Sequence, residues 1–595
     1  MSSLTGIMLR VNLSENKVSK ETIKREWVDN YFGGKGLGYR YLIEEVPAKV
    51  DPLSPKNKMV FITGPLAGTP VSSTSKLCII TKSPATGTIL DCSIGGMAPA
   101  EIKFAGYDGI IIEGKAANPV YLVIDDSKVE IKDAKTLWGK GTRDTEFALR
   151  SELGSDDFKI MSIGQAGENL VPFSCITSEI YRQAGRGGAG AVMGSKNLKA
   201  MAIRGSGSLK MKDSKELMEK IKKVMKDVVL TADNLWAFTD GTPMIVDMAH
   251  NAGILPTRNF QSGSFEGYSK IDSESVKSAL KNKKACFGCA LGCGNFIAFD
   301  GIRVEGPEYE TLSVAGSNCG IDDLKAVAEF NRVCDDYGID TISAGGTIAY
   351  AMEMTERKIH DFGITFGDAK KYVKIPELIA KKEGVGKDLA LGSKALSEKY
   401  GGREFAMHVK GLEIPGYEPR GSWGMSLAYG TAERGACHLR AWTVASEAFG
   451  DLDPFTVEGK AELVLNNQNN NAIKFSVCIC DFWAISPEVM AEMTSLALER
   501  EVTAGELIKA GERIWNLGRL FNLREGFSRK DDYLPARIYQ ESLKGGSTDG
   551  KFIPLEDYEK MLSEYYSLRG WDNEGVPSKE KLEELGIAEF LVKAV

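Results

Sequence analysis

The chain opens with apolar residues two apart. In GIMLRVNL, Ile7, Leu9, Val11 and Leu13 alternate with their neighbours before SENK turns the chain, the period of a β-strand. KMVFITG, LCIITKS, GIIIEG and VYLVIDDSKVEI are further apolar or β-branched runs between turn residues. Gly-rich stretches separate them and are expected to form tight loops: GGKGLG (33–38), TGPLAGT (63–69), SIGGM (93–97) and AGRGGAGAVMGS (184–195). Near residue 209 the period changes. DSKELMEKIKKVMKDVV sets Leu217, Ile221, Val224 and Val228 on one helical face, with Asp213 as N-cap and Glu216 three residues on. LKAVAEFNRVCDDYG, TIAYAMEM and a long segment from Pro487 to about Leu520 also predict helix, the last opened by the Ser486–Pro487 pair. The pattern defines an α+β protein. A β-rich part covers 1–208, and two mainly helical parts cover 209–416 and 417–595, with joints at the Gly/Ser-rich 208 region and at LEIPGYEPRG near 416. No repeat occurs at a solenoid period.

At 595 residues the chain exceeds what one hydrophobic core organises. Hydrophobic content of 43% and charged content of 26% place it among soluble globular proteins. A net charge of -7 argues against nucleic acid as partner, because phosphate binding needs clustered Lys and Arg. The N-terminus has no basic segment followed by an apolar one, and no run approaches eighteen uncharged apolar residues, so a cytoplasmic protein without a membrane span is expected. In that compartment its eleven cysteines are thiols or metal ligands rather than disulfides.

Three of them bunch in KACFGCALGCGNF: Cys286, Cys289 and Cys293, spaced C-x2-C-x3-C. Thiolates at this spacing suit a soft metal site. The order is the reverse of the radical S-adenosylmethionine motif, and the run lacks the extra turn and proline of two-cluster ferredoxins. Two readings stay open: structural zinc, and a [4Fe–4S] cluster with a remote fourth cysteine. FSVCICDFW supplies that candidate as Cys478 or Cys480, which face opposite ways on an extended segment.

Taken together, GGKGLG, TGPLAGT, KSPATG (82–87), KFAGYDGIIIEGK (103–115), AGRGGAGAVMGSKNLKA (184–200), the cysteine run, GPEYET (306–311), GSNCGIDD (316–323), DDYGID (335–340), KGLEIPGYEPRG (410–421), GACHLRA (435–441) and FNLREGFSRKDDYLPAR (521–537) resemble the aldehyde:ferredoxin oxidoreductase family along the whole chain. The resemblance implies a β domain forming a base for two pterins, two helical domains covering it, a tungsten or molybdenum held by the pterin dithiolenes, and a neighbouring [4Fe–4S] cluster. By that resemblance Cys286, Cys289, Cys293 and Cys480 are the cluster ligands. Asp335, Gly338 and Asp340 match a pterin-binding D-x-x-G-x-D pattern, in which a carboxylate accepts adjacent N–H donors of the pterin edge. The second copy departs from it: Phe475 stands at the aspartate and Cys478 at the glycine. Ser93, Gly95 and Gly96 resemble one phosphate loop, with Ser93 in place of asparagine. Arg182, Ala184 and Arg186 resemble the other. Lys76 replaces an arginine, keeping the charge and losing the bidentate fork. Arg440 is expected to face a pterin or phosphate, and a magnesium ion to bridge the phosphates.

For chemistry the resemblance implies Glu310, with Glu308 as fallback, His438 and Tyr417. The expected reaction is oxidation of an aldehyde to the acid with water. Glu310 or His438 is expected to take the proton of the attacking water, and His438 suits this because its ordinary pKa lies near neutrality. Electrons are expected to leave to ferredoxin or a small iron–sulfur subunit, in a homo- or hetero-oligomer. Two rivals are the tungsten subunit of a benzoyl-CoA reductase-type complex, in which Cys319 is a conceivable metal ligand, and a non-catalytic electron carrier. Cys78, Cys92, Cys175, Cys319, Cys334 and Cys437 read as small buried hydrophobes.

Overall fold

The computed structural model describes residues 3–210 and 214–591. Its first third contains two six-stranded sheets. The first comprises β1 (Ile7–Asn12), β2 (Lys17–Thr22), β3 (Met59–Ile62), β4 (Leu77–Lys82), β5 (Ile89–Ile94) and β6 (Gly109–Glu113), in the order β2-β1-β6-β3-β4-β5. The second comprises β7 (Val120–Asp125), β8 (Lys128–Asp133), β9 (Lys159–Ser162), β10 (Ile176–Ser178), β11 (Arg182–Ala184) and β12 (Leu198–Arg204), in the order β11-β10-β9-β12-β7-β8. The two orders are the same once each strand number is raised by six. In each sheet one pair is parallel, β1 with β6 and β7 with β12, and the other pairs are antiparallel. The base is therefore one topological unit built twice. Its equivalent loops follow β5 and β11, and each leads into a short helix, Ala98–Phe104 or Ala189–Ser195.

The sheets pack face to face through Leu9, Val11, Phe61, Ile79 and Ile110 on one side and Leu122, Met161, Met201 and Ile203 on the other. The first sheet also buries its second face, with Met8, Val60, Ile62, Ile80 and Ile111 joining a core shared with C-terminal helices. That double burial explains why its strands read as nearly continuous apolar runs. VYLVIDDSKVEI is a hairpin, β7–β8, turned at Asp126 with φ +50°.

GGKGLG is not a loop: residues 34–38 begin the helix Gly34–Glu45. Its glycines serve close approach. A Cβ on Gly34 would stand 2.1 Å from the Phe475 carbonyl oxygen, and one on Gly38 2.1 Å from Ile80 Cγ1. Packing overrides the poor helix propensity of glycine here.

Asp213 lies outside the described residues. The helix that follows, Ser214–Val224, buries Leu217, Ile221 and Val224 as its period predicts. A π-helical turn over Met225–Val229 then moves the inward position from Val228 to Val229. The segment from Pro487 is two helices, Pro487–Leu498 and Ala504–Glu525, separated at Glu499 with φ +54°. A three-stranded antiparallel sheet, β13 (Leu280–Lys284), β14 (Gly294–Phe299) and β15 (Ile302–Glu305), carries the three-cysteine run in its first connection. Among the described residues no helix is long and apolar enough to cross a membrane.

Candidate active site

Two helices end against the base in the same way. Leu324–Tyr337 is terminated by Gly338 in the left-handed region (φ +71°), and Asp340 follows two residues later. Lys460–Val477 is terminated by Cys478, also left-handed (φ +65°), and Cys480 follows two residues later. The segment is a helix end rather than an extended run, and the two thiols still separate. Cys478 is fully buried against the Phe475 carbonyl and near Cys78, while Cys480 opens into a cavity.

That cavity, about 290 Å³, is lined by Cys286, Cys289, Cys293 and Cys480 together. Cys480 N–H donates to the Ser73 carbonyl at 2.8 Å, and Ser73 Oγ lies 3.4 Å from Cys289 Sγ. Gly95 gives the basin its room, since a Cβ there would stand 2.8 Å from Cys286 Sγ. Burial works against the charge of Lys76, but Cys480, Asp481, Cys286 and Cys293 together hold its ammonium above the usual range. Among the described residues no three His, Cys, Asp or Glu side chains are drawn together tightly enough to hold a single ion. The thiols surround a space instead of a point.

Of the remaining residues singled out for a cofactor, Ser93, Gly95, Arg182, Asp335 and Asp340 line the same basin. Both topologically equivalent loops of the base thus reach it, one through Ser93 and Gly95 and the other through Gln183 and Gly185. Gly96, Ala184 and Gly338 stand beside the basin as backbone and do not line it. Two arginines are turned elsewhere. Arg186 donates to the carbonyls of Ala436 and Glu413 and lies 3.5 Å from Asp340, which in turn caps the helix Thr341–Glu356. Arg440 is buried in a charge cluster. It bonds Asp91 at 2.6 Å and stands 3.2 Å from Glu433, with its guanidinium 5.4 Å above the Phe475 ring. Lys35, Tyr39 and Arg434 complete the cluster. The carboxylates near position 475 are therefore Asp91 and Glu433, contributed by other segments.

A second cavity, about 640 Å³, adjoins the first and shares Glu308, Glu310 and Phe482 with it. Its walls include Trp236, Ile245, Tyr417, Leu439 and Trp442, and one face of the Lys460–Val477 helix contributes Asn467, Asn470, Asn471 and Lys474. His438 and Glu310 meet here, with Nδ1 and Oε1 3.3 Å apart and neither otherwise bonded. Gly416 N–H fixes the other Glu310 oxygen at 2.8 Å. Burial raises the Glu310 carboxyl to about 7, against Gly416 N–H and Arg186. Burial, reinforced by Arg186, Arg434 and Arg440, drives His438 well below its ordinary range. Burial thus sets the glutamate nearer neutrality than the histidine, which favours Glu310 of the two proton acceptors expected from the sequence. The Tyr417 ring lies 5.7 Å from His438 and 6.0 Å from Trp442, and burial keeps its phenol protonated. Glu308 accepts from Thr242 at the junction.

Cys319 lines neither cavity and donates to the carbonyls of Val314 and Gly345, so nothing favours it as a ligand. Cys437 is no plain hydrophobe. Burial opposes its ionisation, but Arg434, Arg440 and Arg186 lower its pKa below the ordinary thiol value. Gln183 and Asn331, which bond the two oxygens of Asp335, escaped the sequence reading because isolated amides carry no motif.

The duplicated β base thus carries a thiol basin and an aromatic-walled chamber joined at buried carboxylates. Residues 8–205 match the family profile "Aldehyde ferredoxin oxidoreductase, N-terminal domain", and residues 216–587 match "Aldehyde ferredoxin oxidoreductase, domains 2 & 3". The chain belongs to the aldehyde ferredoxin oxidoreductase family. It is 42% identical to the tungsten-containing aldehyde ferredoxin oxidoreductase of Pyrococcus abyssi, over 98% of this chain and 99% of that one. It is 31% identical to the aliphatic sulfonate oxidoreductase, WOR-like subunit, of Pyrococcus furiosus, over 99% and 98%. It shares its fold with a chain of the active-site complex BamBC of benzoyl coenzyme A reductase, at a TM-score of 0.86, 24% identity, and coverage of 100% of this chain and 98% of that one.

Proposed function

We propose that this protein oxidises an aldehyde to the carboxylic acid, with water as the oxygen source, at a tungsten bis-pterin centre. The observation that carries the reading is the pair of buried carboxylates shared by the thiol basin and the aromatic chamber. Cys286, Cys289, Cys293 and Cys480 would hold a [4Fe–4S] cluster. Four cysteines lining one basin suit a thiolate-bound cluster. Lys76 and Arg182 would supply cations, and the Ser93–Gly95 and Gln183–Gly185 backbones close approach, for the pterin phosphates. Position 475 offers no carboxylate, so one pterin edge must find its acceptors elsewhere.

When bound, the metal–pterin group supplies a Lewis acid and a two-electron acceptor, and the cluster supplies a one-electron exit to ferredoxin or an iron–sulfur partner. The chain's own residues do the rest. Glu310, with a pKa of about 7, takes the proton of the attacking water. His438 stays neutral beside Glu310, its Nδ1 3.3 Å from Oε1, and helps to position the carboxyl. Tyr417, protonated, is a donor for the aldehyde oxygen. Trp236, Leu439 and Trp442 exclude bulk water around an apolar substrate body.

Elemental analysis of the anaerobically purified native protein tests the reading. It should give about four iron and about one tungsten per chain. Iron without tungsten or molybdenum would favour an electron carrier, and zinc alone would overturn the cluster. Gly95→Ala should lower bound iron relative to the parent, because its methyl occupies the space of Cys286 Sγ. Full iron content in that variant would show that the loop yields and that Gly95 is not needed.

A further inference from the structure

The short helix Leu235–Thr239 is built inside out. Asn234 and Ala237 face the core, whereas Leu235 and Phe238 are 57% and 54% exposed; Leu230, on the same segment, is 66% exposed. An apolar patch with no cover among the described residues marks a contact surface. This one lies on the thiol loop. The Phe238 ring sits over Gly292, with Cδ2 3.5 Å from where a Cβ would stand. A Cβ on Gly241 would come within 2.6 Å of the Cys293 carbonyl oxygen, and Asn295 bonds the Asp240 carbonyl at 2.8 Å. A molecule on Phe238 is thus separated from Cys293 by one aromatic ring and one residue of backbone.

The rim is basic although the chain is acidic. Lys283 Nζ lies 5.9 Å from the centre of the Phe238 ring, while Lys277 close by is paired with Asp240 and Glu274. The helix leading to the patch adds exposed Lys222, Lys223 and Lys226. We infer that the patch centred on Leu235 and Phe238, with its lysine rim, is the docking surface for a small acidic iron–sulfur protein. The inference rests on the function proposed above and adds where the electrons leave. Charge complementarity favours this occupant. A second copy of the chain is disfavoured, because a two-fold contact would set the same lysines against one another.

The test is calorimetric binding of an acidic two-cluster bacterial ferredoxin to the holoenzyme, beside viologen-linked aldehyde oxidation. Phe238→Ser, and separately Lys226→Glu with Lys283→Glu, should each raise the Kd at least fivefold. The charge reversal should also flatten its salt dependence, and viologen-linked turnover should stay within twofold of the parent. A Kd within twofold of the parent in both variants overturns the surface. So does no ferredoxin binding by the parent, conversion of an oligomer to monomers by Phe238→Ser, or binding of anionic phospholipid vesicles in preference to ferredoxin. A parent that binds ferredoxin through this patch yet oxidises no aldehyde with viologen would support the surface and sink the proposed reaction.

Discussion

Glu310→Gln is expected to lower kcat for aldehyde oxidation by about 10²–10⁴-fold, the span of a lost general base. Iron and tungsten contents should be unchanged, since Glu310 is offered neither as a cluster ligand nor as a phosphate contact. The pH profile separates this role from a structural one. A base with a pKa of about 7 is protonated and idle below neutrality, so the parent's rate should climb with pH through about 7 and then level. That limb should vanish in Glu310→Gln. His438→Asn should lose comparable activity, and because the neighbouring cations keep His438 neutral, it should contribute no titration of its own between pH 6 and 8. If Glu310→Gln keeps both rate and limb while Glu308→Gln loses them, the base is Glu308.

Asp91→Asn is expected to cost about 3–5 kcal/mol of stability, the scale for breaking a buried ion pair from one side. Asp91 is almost wholly buried and faces Arg440 at 2.6 Å and Lys35 at 3.4 Å, and these with Arg434 outnumber the two acids of the cluster. Burial opposes its charge, but Arg440, Lys35 and Arg434 hold its carboxyl far below the ordinary range. The amide leaves three buried cations with Glu433 alone. Scanning calorimetry of the parent and the variant measures the loss. Melting within a degree of the parent would show that the cluster is not a strut between the base and the C-terminal helices.

The strands were legible because a sheet buried on both faces needs apolar runs, and LCIITKS and GIIIEG are such runs. The end of the Leu324–Tyr337 helix was legible because Gly338 is the residue a left-handed cap favours. Cys478 hides the same cap at the second helix, where the glycine is missing. GGKGLG was misread because glycine marks loops and close approach alike, and only the Phe475 carbonyl and Ile80, distant in sequence, decide between them. The twofold design of the base was invisible, because topology is preserved where sequence is not. At the site, thiol spacing pointed to the basin, but the placing of Glu310 nearer neutrality than His438 depends on burial of both groups, with three arginines adding to it at His438, and no local pattern shows either. The buried acids nearest position 475, Asp91 and Glu433, come from far away in the chain and are held by Arg440 and Lys35.

The order in which the basin's walls are synthesised has a consequence for how the protein is made. The base is complete by about residue 205 and three thiols exist by residue 293, but Cys480 and the helix end that seats it come much later. Translation at about 5–20 residues per second leaves an interval on the order of tens of seconds between base and closure. The basin lacks the walls supplied by residues 284–342 for the first part of that interval, and the wall at Cys480 until its end. Anything too large to enter the finished molecule has its easiest access then, before the last quarter of the polypeptide closes over it.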